Sequence, residues 1–410
     1  MAKLLFLFFL SVSSTMAAEF AVADQEQFDA AVKKINPGET IILQNGIWED
    51  ARLKVNASGS KGQPIIIKAE TPGKVVFTGD SRISLGGRYL VVDGLWFQNP
   101  CGSESIELRT SSKKLASDCR ITNCGVTNDH SSPDNKRSSR FVSIYGARHR
   151  MDHCYFSGKT TVGPTLVVWL VKGKEAKHRI DHNHFGPRPR LGENGGETIR
   201  VGDSKTSMQN AACIIEHNFF EKCDGEVECI SNKSCGNIYR RNRFEAVSGT
   251  LTLRHGNNCL VEDNYFQGLG AKGSGGVRII GEGHTVTGNR FENLMGDDAR
   301  SAVCYMLGIP DSPLHGYFQV KKSKLSNNIF LNCKHNIVIG MAWDSKSKLA
   351  PLESIITGNI IQNNKGAAFD IRCDLTGVKL QNNTMVKKRP LDLPDLPTAE
   401  PTGPDWGDFR

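Results

Sequence analysis

Two glutamates stand two apart in the segment Gly225-Glu226-Val227-Glu228-Cys229-Ile230. On a strand, successive side chains alternate between faces, so Glu226 and Glu228 would share the outward face while Val227 and Cys229 enter the core. Neighbouring carboxylates repel unless something positive lies between them. A hard divalent cation would answer that need, because Ca2+ prefers several oxygen ligands; two solvated acids on one strand are the plainer alternative. Basic residues recur at matching places. Thr250, Thr252 and Arg254 would share the outward face of Gly249–Gly256, Arg200 lies in Glu197–Gly202, and Arg278 lies in Gly276–Ile280. Were these segments adjacent strands, about 4.8 Å apart, Arg200, Arg254 and Arg278 would form a basic strip beside the two acids. Three arginines exceed what neutralising one acidic pair requires, and such a strip suits a polyanion.

A repeat must hold those segments side by side. One phrase recurs along the chain: an aliphatic or aromatic residue, Asn three places later, and a large apolar residue two beyond. Copies include Ile180/Asn183/Phe185, Ile215/Asn218/Phe220, Tyr239/Asn242/Phe244, Val261/Asn264/Phe266, Val286/Asn289/Phe291, Leu325/Asn328/Phe330, Ile356/Asn359/Ile361 and Leu380/Asn383/Met385. Earlier copies replace the Asn, as in Val92/Leu95/Phe97, Ile121/Cys124/Val126 and Met151/Cys154/Phe156. From Asn218 to Asn289 the steps are 24, 22 and 25 residues, and the longer step of 35 from Asn183 to Asn218 leaves room for a loop. Each step is one coil. Short alternating apolar stretches broken by Gly and Asn argue for strands. The prediction is an all-β chain, a single right-handed parallel β-helix, with the asparagines stacked as a structural ladder and the apolar residues as a continuous core. Between Asp24 and Ile35 the pattern turns helical: Asp24 and Gln27 have capping-box spacing, and Phe28, Val32 and Ile35 share a face. This N-terminal helix is expected to cap the first coil and shield its strand edges.

The ends and the composition bound the setting. Residues 1–17 have a cationic start at Lys3, an apolar run from Leu4 to Leu10 and the small residue Ala17, the anatomy of a signal peptide, so the chain is expected to be exported, periplasmic or secreted. No later segment is apolar enough for a membrane span. Residues 18–390 are expected to form the β-helix, and 391–410 a Pro-rich tail or linker. The net charge of +8 favours an anionic partner. Nucleic acid is disfavoured, since no helix-turn-helix or RNA-binding signature appears. The twelve cysteines are spread from Cys101 to Cys373 without a CxxC pair and read as small core residues rather than a zinc site.

Four motifs carry a resemblance. Glu193-Asn194-Gly195-Gly196-Glu197, Glu226-Val227-Glu228, Ser231-Asn232-Lys233-Ser234 and Arg254-His255-Gly256 resemble, in order and spacing, the site motifs of polysaccharide lyase family six, the family of alginate lyases and chondroitinase B. The repeat, end helix and signal extend the resemblance over nearly the whole chain. It implies that Asn194, Glu226 and Glu228 bind Ca2+, that Lys233 is the general base and that Arg254 is the general acid in a β-elimination on a uronate polymer. The C5 proton of a uronate is weakly acidic, and a cation on the adjacent carboxylate would make its loss easier. Lysine acts as a base only after shedding its own proton, which nearby positive charge favours. Arginine holds its proton tightly, so Arg254 would also stabilise charge on the leaving O4, with water or His255 giving the proton. Arg200, His255 and Arg278 are expected to contact the substrate, where a guanidinium fork suits a carboxylate. The expected form is a monomer.

Alginate is the expected polymer, being the substrate of the larger part of that family. Dermatan sulfate is the alternative, with Lys172, Lys174, Lys177 and Arg188 as extra contacts or as plain solvated charges. A β-helical hydrolase would need a paired-Asp site, which is not found. A non-catalytic polysaccharide-binding protein is the reading from another class; it would keep its function on Lys233→Ala and release no unsaturated product.

Overall fold

A computed structural model describes residues 18–129, 134–362, 366–390, 393, 396 and 399–407. The expected signal peptide at 1–17 and much of the expected tail lie outside the described residues. No helix among the described residues is long and apolar enough to cross a membrane.

The repeat folds as it reads. Three long sheets of 14, 12 and 13 strands run the length of the molecule, and each strand pairs in parallel with its counterparts one coil before and after. In the twelve-stranded sheet, Ile199–Gly202 pairs with Glu228–Lys233, which pairs with Thr250–His255, which pairs with Val277–Ile279. Segments far apart in sequence thus become neighbours on one wall. This is a parallel β-helix.

Its corners show why the repeat is spaced as it is. The amide of Asn183 donates to Asn218 Oδ1 at 3.0 Å, and the same bond continues through Asn242, Asn264, Asn289, Asn328 and Asn359 to Asn383 at 2.8–3.0 Å. Each amide also takes a backbone N–H and serves a carbonyl one coil back, so every buried polar atom at this corner is used. Inside it, Phe185, Phe220, Phe244, Phe266, Phe291 and Phe330 stack with centroids 4.5–5.0 Å apart, the coil spacing itself. Asn264→Ala would leave one amide N–H and the backbone N–H of Asn242 unpaired in the core, and is expected to cost about 3 kcal/mol in chemical denaturation. A loss within 0.5 kcal/mol, which is the size of a surface change, would mean the ladder adds little.

At another turn, His149, His178 and His284 are buried, each accepting a backbone N–H at Nδ1 from the coil before. Burial pushes His149 and His284 down to about 4, so these histidines are neutral structural groups. The cysteines read as core residues form no disulfide, and nine of the twelve are buried.

The helix Gln25–Val32 caps the first coil, with Asp24 accepting from Gln27 N at 2.8 Å and Phe28 fully buried. At the other end, residues 399–407 are no free tail. They run back along the outside: Glu400 meets His182 and His217, Gly403 N donates to His182 O, and the Trp406 indole donates to Asn123 O at 2.7 Å and leans on Trp96.

Candidate active site

The expected site residues converge on the wall formed by Ile199–Gly202, Glu228–Lys233 and Thr250–His255, but simple alternation does not place them. Glu228 pairs with Thr250 while Ile230 pairs with Leu251, so the strand bulges at Cys229. Cys229 and Ile230 both enter the core, and Glu226 sits just before the strand rather than on it. A second irregularity follows: Asn232 pairs with Leu253 but Lys233 with His255, leaving Arg254 as the extra residue. Bulges bend a strand and re-aim side chains beside functional sites. Here they turn Glu228 and Arg254 towards each other, the Arg254 Nε lying 3.7 Å from Glu228 Oε1.

A buried amide fixes the second irregularity. Asn232 Nδ2 donates to the carbonyls of Ser234 and His255, and its Oδ1 accepts from Asn237 Nδ2 at 2.7 Å and the Tyr239 hydroxyl at 2.8 Å. The backbone carrying Lys233 is thereby pinned to that carrying His255. Lys233 itself is half-buried and makes no hydrogen bond or ion pair among the described residues. The Arg254 guanidinium lies 4.0 Å from the Tyr317 ring centroid and donates to the carbonyls of Gly316 at 2.7 Å and His315 at 3.1 Å. Burial is the main influence lowering its hold on its proton.

The acids form a larger group than the sequence suggested. Glu197, read there only as the start of a strand segment, is 3 % exposed. Its Oε2 and the Oε1 of Glu226 are buried with no hydrogen-bond partner among the described residues. Burial first, then the charges of Glu197 and Glu228, push the Glu226 carboxyl up to about 8. Two glycines permit this crowding: a Cβ on Gly196 would lie 2.4 Å from Gly225 C, so only glycine lets the two coils approach backbone to backbone. Gly195 N donates to Glu226 Oε2 at 3.2 Å, which sets exposed Asn194 beside it. Orphaned carboxylate oxygens are donors that fit a hard divalent cation. Glu228 fits less simply, because it already accepts from Ser231 Oγ at 2.5 Å and from Arg278.

Three basic residues lie lower than their sequence roles require. Arg278, expected at the substrate, is fully buried, pairs with Glu228 and lies under Trp343, so its contact is with the acid cluster. His255 is 1 % exposed, and burial, with Arg254, Lys233 and His315 around it, pushes it down to about 3, so it is a neutral imidazole. Arg188, read as a loop charge, is 3 % exposed and donates to the carbonyls of Thr161, Gly163, Gly195 and Glu197. Burial pushes it down to about 10. It ties the Asn194 loop to the body, where only a residue with several forked donors serves. Arg188→Met should therefore lower stability by about 3 kcal/mol, read by chemical denaturation. A loss within about 0.5 kcal/mol, which is the size of a surface change, would mean the loop is held without it. Arg200 remains half-exposed, its guanidinium 5.1 Å from the Trp169 ring centroid.

Comparisons with known proteins bear on this wall. A family model described as chondroitinase B matches residues 22–392. The PL6-family alginate lyase AlyGC superposes with a TM-score of 0.86 at 38 % identity, over 90 % of this chain and 51 % of its own. The chain thus spans about half the length of that enzyme. A mannuronic acid-specific family 6 lyase from human gut microbiota superposes at 0.83, with 28 % identity over 95 % of this chain and 96 % of its own. The PL6-family lyase of Pseudopedobacter saltans, at 24 % identity and a TM-score of 0.82 over 95 % of this chain and 100 % of its own, shares the fold. No curated protein matches. With the family model matching most of its length and AlyGC sharing its coils, the chain belongs to the chondroitinase B family of polysaccharide lyases, family six.

Proposed function

We propose that the chain is an exported, calcium-assisted lyase that cleaves alginate by β-elimination. The observation that carries this is the unpartnered Lys233 on a pinned strand, beside bulge-borne Arg254 and a group of buried carboxylates with orphaned oxygens. The names of AlyGC and of the gut mannuronate lyase support the choice of polymer.

Asn194, Glu197 and Glu226 would hold the cation, with Glu228 joining them where Arg278 yields. A cation there neutralises the carboxylate of the uronate and so makes its C5 proton easier to remove. Lys233 Nζ takes that proton. The C5 electron pair forms the C4=C5 double bond as the C4–O4 bond breaks, and O4 leaves with a proton from Arg254 or from water it orients. Arg254 suits this task because burial loosens its proton and three contacts fix its plane. His255, buried and neutral, pairs in register with Lys233 and follows Arg254 on its strand. Arg200 remains exposed enough to pair with a substrate carboxylate.

The test is ultraviolet absorbance of alginate, dermatan sulfate and polygalacturonate incubated separately with the chain and calcium. A rise on alginate alone is expected. A rise only on dermatan sulfate would move the substrate, and no rise on any would remove the reaction.

A further inference from the structure

The outward face of the twelve-stranded sheet continues past Lys233 towards the N-terminal coils, along a line no site residue occupies. Gly202 pairs with Lys233. Val168 pairs with Val201 and with Ile144, so Trp169 and Tyr145, the next residues along, fall in line with Gly202. Glu107 pairs with Ser143, which puts Arg109 in line with Tyr145. Arg109, Tyr145, Trp169, Gly202 and Lys233 therefore make one row, a coil apart, about 19 Å long at the spacing of neighbouring strands. Several linked pyranoses would cover it. The step beside Lys233 carries no side chain, and a Cβ on Gly202 would lie 2.5 Å from Lys233 O.

Aromatic rings and guanidiniums interleave along this row. Tyr145 and Trp169 stack at 6.0 Å with 13° between planes. The guanidinium of Arg109 lies 3.9 Å from the Tyr145 centroid, and those of Arg140 and Arg200 lie 5.6 and 5.1 Å from that of Trp169. A guanidinium laid on a ring keeps its charge and its N–H fork. Glu107 engages Arg109 at 2.6 Å, and Glu104 approaches Arg140 only to 3.6 Å. Arg200 has no hydrogen bond or ion pair among the described residues, and its Nε, the Nε of Arg140 and the Trp169 indole N–H are buried without partners. Orphaned donors of that kind cost free energy unless a ligand answers them. A purely structural stack would have no need to leave so many open.

We propose that Arg109 and Arg140, shelved on Tyr145 and Trp169 beside Arg200, extend the cleft as a binding track for successive carboxylates of an anionic hexuronate chain. The substrate class rests on the reading of the site as a uronate lyase. The track lies on the N-terminal side of Lys233, and Tyr145 and Trp169 act as positioning residues. Long substrates reach it and the shortest cleaved ones do not.

The experiment compares kcat/KM for alginate polymer with that for the shortest oligomer the full chain cleaves, in wild type, Arg140→Gln and Trp169→Leu. The polymer-to-oligomer ratio is expected to fall about tenfold in each variant, the size of one charge-assisted contact. A ratio equal to wild type in folded Arg140→Gln overturns the track, even if Trp169→Leu fails to fold. Should wild type release no unsaturated product from any uronate, the lyase reading falls by itself. Titration calorimetry with alginate then decides the track: about tenfold weaker binding by Arg140→Gln supports it, and equal binding overturns it.

Discussion

Lys233→Ala is expected to lower kcat on the cleaved polymer by about 10³-fold, within the range of a lost general base, while the chain stays folded and binds the polymer. The motivation is geometric. Lys233 sits on a strand whose neighbour is locked to it through Asn232, yet no protein group among those described claims its amine. Removing a half-exposed side chain without partners should change stability by about 0.5 kcal/mol or less. Lys233→Arg sharpens the result: it keeps the charge but cannot shed a proton near neutrality, so it should be nearly as inactive. Initial rates and polymer binding measured on all three proteins separate the roles. If Lys233→Arg kept more than a tenth of the wild-type rate, charge rather than proton removal would be the contribution, and the base would have to be sought elsewhere.

The fold was largely legible because it is periodic. The asparagines from Asn183 to Asn383 recur at coil spacing since each amide must meet the next, and a physical contact that repeats leaves a repeat in the sequence. The site was legible only in part, because it lies where the period breaks. Alternation put Glu226 and Glu228 on one strand face, but the strand begins only at Glu228 and bulges at once at Cys229, and nothing in the local residue types marks that bulge. Glu197 escaped notice for a related reason: its partner acids are a coil away, and the close approach that joins them depends on Gly196 meeting Gly225. Arg188 and Arg278 looked like surface charges because sequence cannot distinguish a solvated guanidinium from one buried against carbonyls or a carboxylate. The C-terminal residues lost the repeat and looked like a linker, while Trp406 finds its place against Trp96 and Asn123 through contacts of very long sequence separation.

The acid cluster carries the second large effect. Stripping divalent cations is expected to lower activity at least 10²-fold and to expose a pH-dependent instability that Glu226 dominates. Its carboxyl is pushed up to about 8 in the folded chain, against an ordinary value near 4.3 when unfolded. The folded state therefore binds this proton more tightly than the unfolded state. The associated stability is fully present below about pH 4, and is lost as pH rises through about 8. Across that window the cation-free chain should lose at most about 5 kcal/mol, less whatever relaxation of the cluster recovers. Glu226→Gln should flatten the profile, because an amide carries no charge to bury. Calcium should restore the lost stability most at the alkaline end, where binding no longer has to displace the proton. Near pH 7 its binding should release close to one proton, read by calorimetry in two buffers of different ionisation enthalpy. Full activity in a chain shown to be metal-free would sink the cation. A pH profile unchanged by Glu226→Gln would show instead that another group holds the buried proton.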